Sequence, residues 1–132
     1  MIGMEKFARC CGYAVYAVAY ADKSIEQEER AAIHLFLNEN WMELADSSDP
    51  FGVKSIEFIE QMMDALVSDK LNSELAYERF KELFDSLQNL LSRNQQKFML
   101  HLCIKVGNAF NRMNKSELVL LSRIERTIHS KS

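Results

Sequence analysis

Apolar positions recur every three or four residues along almost the whole chain, the spacing of amphipathic helices rather than the alternation of strands. The first stretch, Met4 to Ala21, carries Phe7, Cys11, Ala14, Val18 and Ala21 on one stripe and Tyr13, Tyr16 and Tyr20 on another. No charge interrupts it between Arg9 and Asp22. A helix apolar on nearly every side belongs at the centre of a fold, with others around it. A second helix, 26–44, shows Ile33, Phe36, Leu37, Trp41 and Leu44. "DSSDPFG" then breaks the pattern. Asp49 suits an N-cap there and Pro50 the first helical position, where its missing N–H costs nothing. The third helix carries Ile56, Ile59, Met63 and Leu66. The fourth, opened by Asn72 or Ser73, has a seam of Tyr77, Phe80, Phe84, Leu87 and Leu91. "SRNQ" separates it from a fifth helix with Met99, Cys103, Val106 and Phe110. The sixth starts near Asn114 and presents Leu121, Ile124 and Ile128 on one side. The pattern predicts an all-α fold, a compact bundle of about six or seven helices.

A chain of 132 residues fits one domain, 1–132, burying about two-thirds of its unfolded surface. One proline and four glycines are too few for the frequent turns of a strand-rich fold. The apolar and charged fractions, 48% and 27%, are those of a soluble globular protein. Cys10, Cys11 and Cys103 form no C-x-x-C pair, which argues against a disulfide framework or zinc knuckle and for buried, inert thiols in a reducing cytoplasm. "FARCCGYAVYAVAYA" imitates a signal-peptide core, yet Glu5 and Arg9 interrupt it and Ile2 rules out a myristoylation signal. No apolar run reaches the roughly 20 residues that span a bilayer. A cytoplasmic protein without membrane insertion is expected.

Charge divides the chain. Residues 1–89 carry 8 Lys/Arg and 17 Asp/Glu, a balance of −9, whereas residues 90–132 carry 8 and 2, a balance of +6. Either the two parts pack together and neutralise one another, or the basic part offers a partner-facing surface on the last helices. Arg112, Lys115, Arg123 and Arg126 are the candidates for that surface.

Shifted by 88 positions, "AVAYADKSIEQEERAAI" lies over "KVGNAFNRMNKSELVLL", with Ala21 on Ala109, Ile25 on Met113 and Glu29 on Glu117. Each copy is an apolar helix, a tight turn with one apolar plug, and a second helix opened by glutamate. The copies span about 4–45 and 94–130, with the helices of 51–92 between them. Such a pair cannot bury its own apolar surface, so the expectation is an internal pseudo-twofold repeat packed face to face.

The glutamates of the first turn admit two readings. Asn114 and Glu117 can form a capping box with Met113 stapled on Leu118, and Glu26 and Glu29 are their first-copy equivalents. Acidic residues there also favour the helix dipole, by about 0.3–1 kcal/mol each. The alternative is a cation site. Asp22 with Glu26 or Glu29, and Glu117 brought near by the repeat, would supply oxygens for Ca²⁺ or Mg²⁺ if they converged.

The pattern Ala21, Asp22, Ile25, Glu29, repeated in the second half of an all-α chain, resembles the TerB-like tellurite-resistance family and the related domain of DjlA-type membrane co-chaperones. The resemblance implies a helical bundle on a pseudo-twofold repeat, a role in stress response or in assembly with membrane-associated partners, and an acidic surface proposed to bind metal ions. Two positions depart from the family. Its glycine is Lys23 here and Asn111 in the second copy, and its second aspartate is Phe110, so an acidic site would be one-sided.

Other chemistry finds little footing. His34, His101 and His129 lack metal-ligand spacing, and no hydrolase, zincin, P-loop or dinucleotide motif occurs. Nucleic acid is disfavoured by the acidic balance and by the lack of a recognition motif. The aromatic seam of the fourth helix is a core face or a homodimer surface. The sequence therefore predicts a non-catalytic interaction module with a protein partner, with a metal-ion-binding protein as the alternative.

Overall fold

A computed structural model describes residues 4–21, 27–44, 52–108 and 115–129, with side chains described except at 4, 28, 29, 40–44 and 52–55. Six helices account for them: α1 Met4–Ala19, α2 Gln27–Leu44, α3 Gly52–Ser68, α4 Ser73–Leu87, α5 Arg93–Gly107 and α6 Lys115–His129. No strand occurs among the described residues. The fold is an all-α bundle, as the periodicity predicts. The expected caps at Asp49 and Asn114, and the turn residues Lys23, Phe110 and Asn111, lie outside the described residues.

The expectation for α1 holds. Phe7, Cys11, Ala14, Tyr16 and Val18 are fully buried, and from Phe7 to Ala19 only Arg9 is exposed and only Tyr13 half-buried. Four helices surround it: α3, α4, α5 and α6 all pack on α1. α2 lies further out, on α3 and α5, while α6 bridges α5 and α4. α1 packs on α6 and α2 on α5, the reciprocal pairs that an exchange of the two proposed copies requires. The middle helices break that exchange, since both α3 and α4 pack on α1.

At Gly12 α1 and α3 approach each other closely. A Cβ built there would stand 2.5 Å from Met62 Sδ, well inside contact distance, so the thioether occupies the space that the missing side chain leaves. The seam of α4 turns inward. Tyr77, Phe80, Phe84, Leu87 and Leu91 are buried, with ring centroids 6.2 Å apart for Tyr77–Phe80 and 5.7 Å for Phe80–Phe84. It is core, and α4 presents a different side to solvent.

Two turns show how the chain reverses. After α3, the Leu71 N–H donates to Leu66 O at 3.1 Å and the Lys70 N–H to Val67 O at 3.0 Å, the paired bonds of a Schellman stop. Lys70 holds the left-handed position at φ 53°, where glycine is the usual residue. Asn72 then caps α4 by accepting from the Glu74 N–H at 2.7 Å. Before α5, Ser92 and Gln95 form a reciprocal capping box at 3.0 and 2.9 Å. "SRNQ" is thus the helix start signal itself, not only a separator.

Tyr16 ties the first turn to the core. Its hydroxyl lies 2.7 Å from Leu71 O and 3.2 Å from Leu66 O. With one proton to give, it donates chiefly to Leu71 and satisfies a carbonyl that the helix end leaves open.

Candidate functional site

The residues that the sequence nominates fall into two groups. In the acidic group, Asp22 and Glu26 lie outside the described residues, and Glu29 lies on α2 without a described side chain. Glu117 sits in the first turn of α6 and is only 5% exposed. α2 and α6 both pack on α5 but share no extended contact with each other among the described residues. There, too, no three His, Cys, Asp or Glu side chains gather closely enough to hold a metal ion.

In the basic group, Arg112 lies outside the described residues, Lys115 and Arg126 are exposed, and Arg123 is engaged within the fold. Arg123 Nη1 donates to Glu74 Oε1 at 2.5 Å, and its guanidinium carbon stands 4.3 Å from the Tyr77 ring centroid. The hydrogen bond to Glu74 holds the Arg123 pKa above its ordinary value. Beneath it, Thr127 Oγ1 donates to Arg123 O at 2.9 Å, which leaves the Tyr77 hydroxyl to donate to Thr127 at 2.8 Å. One cation of the basic tail and one anion of the acidic part therefore neutralise each other at the α4–α6 seam.

That seam orders a surface. Glu74 meets Arg123 and Tyr77 meets Thr127, so residue numbers rise together and the two helices run parallel. At 100° per residue, Lys115, Val119, Ser122 and Arg126 share one outward stripe of α6, with Leu118 at its border. Leu118 is 53% and Val119 48% exposed, so this stripe joins two cations to two apolar side chains. The outward side of α4 is acidic instead, with Glu78, Glu82 and Asp85 exposed between two flanking cations, Arg79 and Lys81.

A polar ladder between α2 and α3 was not among the predicted sites. Arg30 pairs with Asp64, and His34 Nδ1 with Glu60, while Asn38 Nδ2 meets His34 Nε2 at 2.8 Å. The signal was present as matching four-residue steps, Arg30–His34–Asn38 against Glu60–Asp64, on antiparallel helices. Of these side chains Arg30, His34 and Glu60, together with Gln27 and Met63, edge an open depression of about 290 Å³. All three histidines face solvent.

The thiols are where the sequence puts them. Cys10, Cys11 and Cys103 are free and buried between α1 and α5. Burial pushes Cys103 up to about 12. Burial, with the neighbouring thiols, raises Cys10 and Cys11 as well. None forms a thiolate near neutral pH, and without one a thiol is neither nucleophile nor metal ligand.

Among the described residues no helix is long and apolar enough to cross a membrane. Comparison with protein-family models, curated proteins and solved structures finds no match to this chain.

Proposed function

We propose that this chain is a TerB-like, non-catalytic interaction module of the cytoplasm, and that it meets a protein partner through the outward side of α6. One observation carries the reading: Leu118 and Val119 stand half-exposed between Lys115 and Arg126 on a regular helix. Apolar side chains flanked by charges on a rigid element are what an interface offers, the apolar part supplying affinity and the charges orientation. The family assignment rests on the pattern Ala21, Asp22, Ile25, Glu29 and its partial second copy, Ala109, Met113, Glu117, and the all-α bundle is consistent with it. A divalent-cation site at the α1–α2 turn is a second reading, and it rests on the sequence carboxylates Asp22, Glu26 and Glu29.

One experiment addresses both. The protein, and a variant with Lys115→Glu, Val119→Ser and Arg126→Glu, are immobilised and used to capture cellular proteins with Ca²⁺ or with EDTA. The α6 reading expects capture that the variant loses and EDTA leaves intact. Capture lost in EDTA but kept by the variant would move the function to the acidic turn. Equal capture in every arm would sink both readings.

A further inference from the structure

The reading of α6 as a contact surface can be deepened to name its occupant, and the proposal here rests on that reading. We propose that the α4–α6 face is an isologous homodimer interface, in which α6 of each copy lies antiparallel across α4 of the other.

The argument is the order of charge along the face. Take the Glu74–Arg123 pair as origin. Lys115 precedes Arg123 by eight residues and Glu82 follows Glu74 by eight. On parallel helices this puts the two side chains about 12 Å to either side of the pair. The basic, apolar half of α6 thus projects past the start of α4, and the acidic half of α4 projects toward the other end. A twofold axis through the Glu74–Arg123 pair exchanges these ends. Lys115 then faces the partner's Glu82, and Val119 lies under the methylenes of the partner's Glu78. Each contact is made twice, as twofold symmetry demands.

Charge complementarity selects this occupant. Lys115, Arg126, Glu78 and Glu82 have no ion-pair partner among the described residues. An acidic helix from another protein would satisfy the α6 stripe alone and leave α4 uncompensated. A second copy satisfies both stripes at once. The opposing charges are Lys81 and Arg79 on α4, the latter on the side turned from α6 and set over the Tyr13 ring, and Glu125 on the side of α6 turned from α4.

Sedimentation velocity of the full chain across micromolar concentrations tests the dimer at low and high salt. The wild type should dimerise at low salt and weaken as salt rises. Lys115→Glu and Glu82→Lys should each raise the dimer Kd by about tenfold or more, since each reverses a contact made twice. The double swap should restore it. Both residues are exposed, and circular dichroism checks that each variant folds. A monomer throughout, or a dimer indifferent to the swaps, overturns the proposal. A monomer whose capture of another protein still depends on Lys115 overturns the dimer and keeps α6 as a contact surface. A monomer whose capture ignores Lys115, Val119 and Arg126 overturns both.

Discussion

α1 and α2 are consecutive helices of 16 and 18 residues, yet they are held by different forces. α1 is enclosed by four helices, keeps three buried polar groups, the Cys10, Cys11 and Tyr16 side chains, and exposes almost nothing beyond its first two turns. α2 buries Ile33 and Leu37, rests Phe36 against Phe98 at 5.3 Å, and leaves Leu35 58% exposed. Its outer edge is joined to α3 by the Arg30–Asp64 ion pair and the His34–Glu60 contact, both in water. Burial of a whole side chain is worth roughly 1.5–3 kcal/mol, whereas an exposed ion pair contributes about 0–1. The fold therefore has a sealed axis and a lightly attached rim, and local opening should begin at the rim.

Alkaline pH attacks the sealed axis hardest. In the folded chain burial holds Cys103 and Tyr16 up to about 12, and raises Cys10 and Cys11 as well. The unfolded chain releases thiol protons from near 9.0 and the phenol proton from near 10.0. Between those values and 12 the unfolded state binds fewer protons than the folded one, so stability is full below pH 9 and falls as pH rises. Each group contributes a slope of about 1.4 kcal/mol per pH unit, so three thiols give about 4. Against a usual total of roughly 5–15 kcal/mol, urea unfolding should show steep loss between pH 9 and 11. A flat profile to pH 10.5 would mean that the thiols ionise in place and that α1 is not sealed.

Tyr16→Phe probes the same axis through one oxygen. The ring and its 5.0 Å stack on Tyr20 are kept, and only the hydroxyl at Leu71 O and Leu66 O goes. A carbonyl left without its donor in a mostly dry site costs about 1–3 kcal/mol. Half-buried Leu71 lets some water in, which favours the lower end. Amide exchange should rise at the α3–α4 turn, residues 66–72, more than in α1. An effect confined to α1, with the turn unchanged, would show that Tyr16 does not cap α3.

Periodicity made the buried elements legible because burial is what it encodes. The stripes of α1, α4 and α6 were read correctly from Phe7–Cys11–Ala14–Val18, Tyr77–Phe80–Phe84 and Leu121–Ile124–Ile128. Asn72 as a cap was legible for the same local reason. The capping box of Ser92 and Gln95 is equally local, but "SRNQ" is polar throughout and has the composition of a break as well as of a cap. Relations between helices were harder. Nothing near Arg123 in the chain announces Glu74, 49 positions away, or the Tyr77 ring beneath it. The α2–α3 ladder is written in two segments that become complementary only once the helices are known to run antiparallel. Of the acidic group, only the burial of Glu117 is added by the structure.

The smallest effect is the sharpest test of the rim. Arg30 and Asp64 form the better-defined rung of the ladder, with side chains 38% and 63% exposed. A double-mutant cycle of Arg30→Ala and Asp64→Ala isolates their coupling from what each change does alone. Water screens both groups, so the coupling should be about 0.5 kcal/mol or less and should fade in molar salt. Each single variant should speed amide exchange in α2 while leaving α1 at its original rate, because α1 does not depend on this edge. A coupling that survives molar salt, or exchange that rises equally in both helices, would mean that α2 and α1 open as one unit. The division between axis and rim would then be one of appearance rather than of energy.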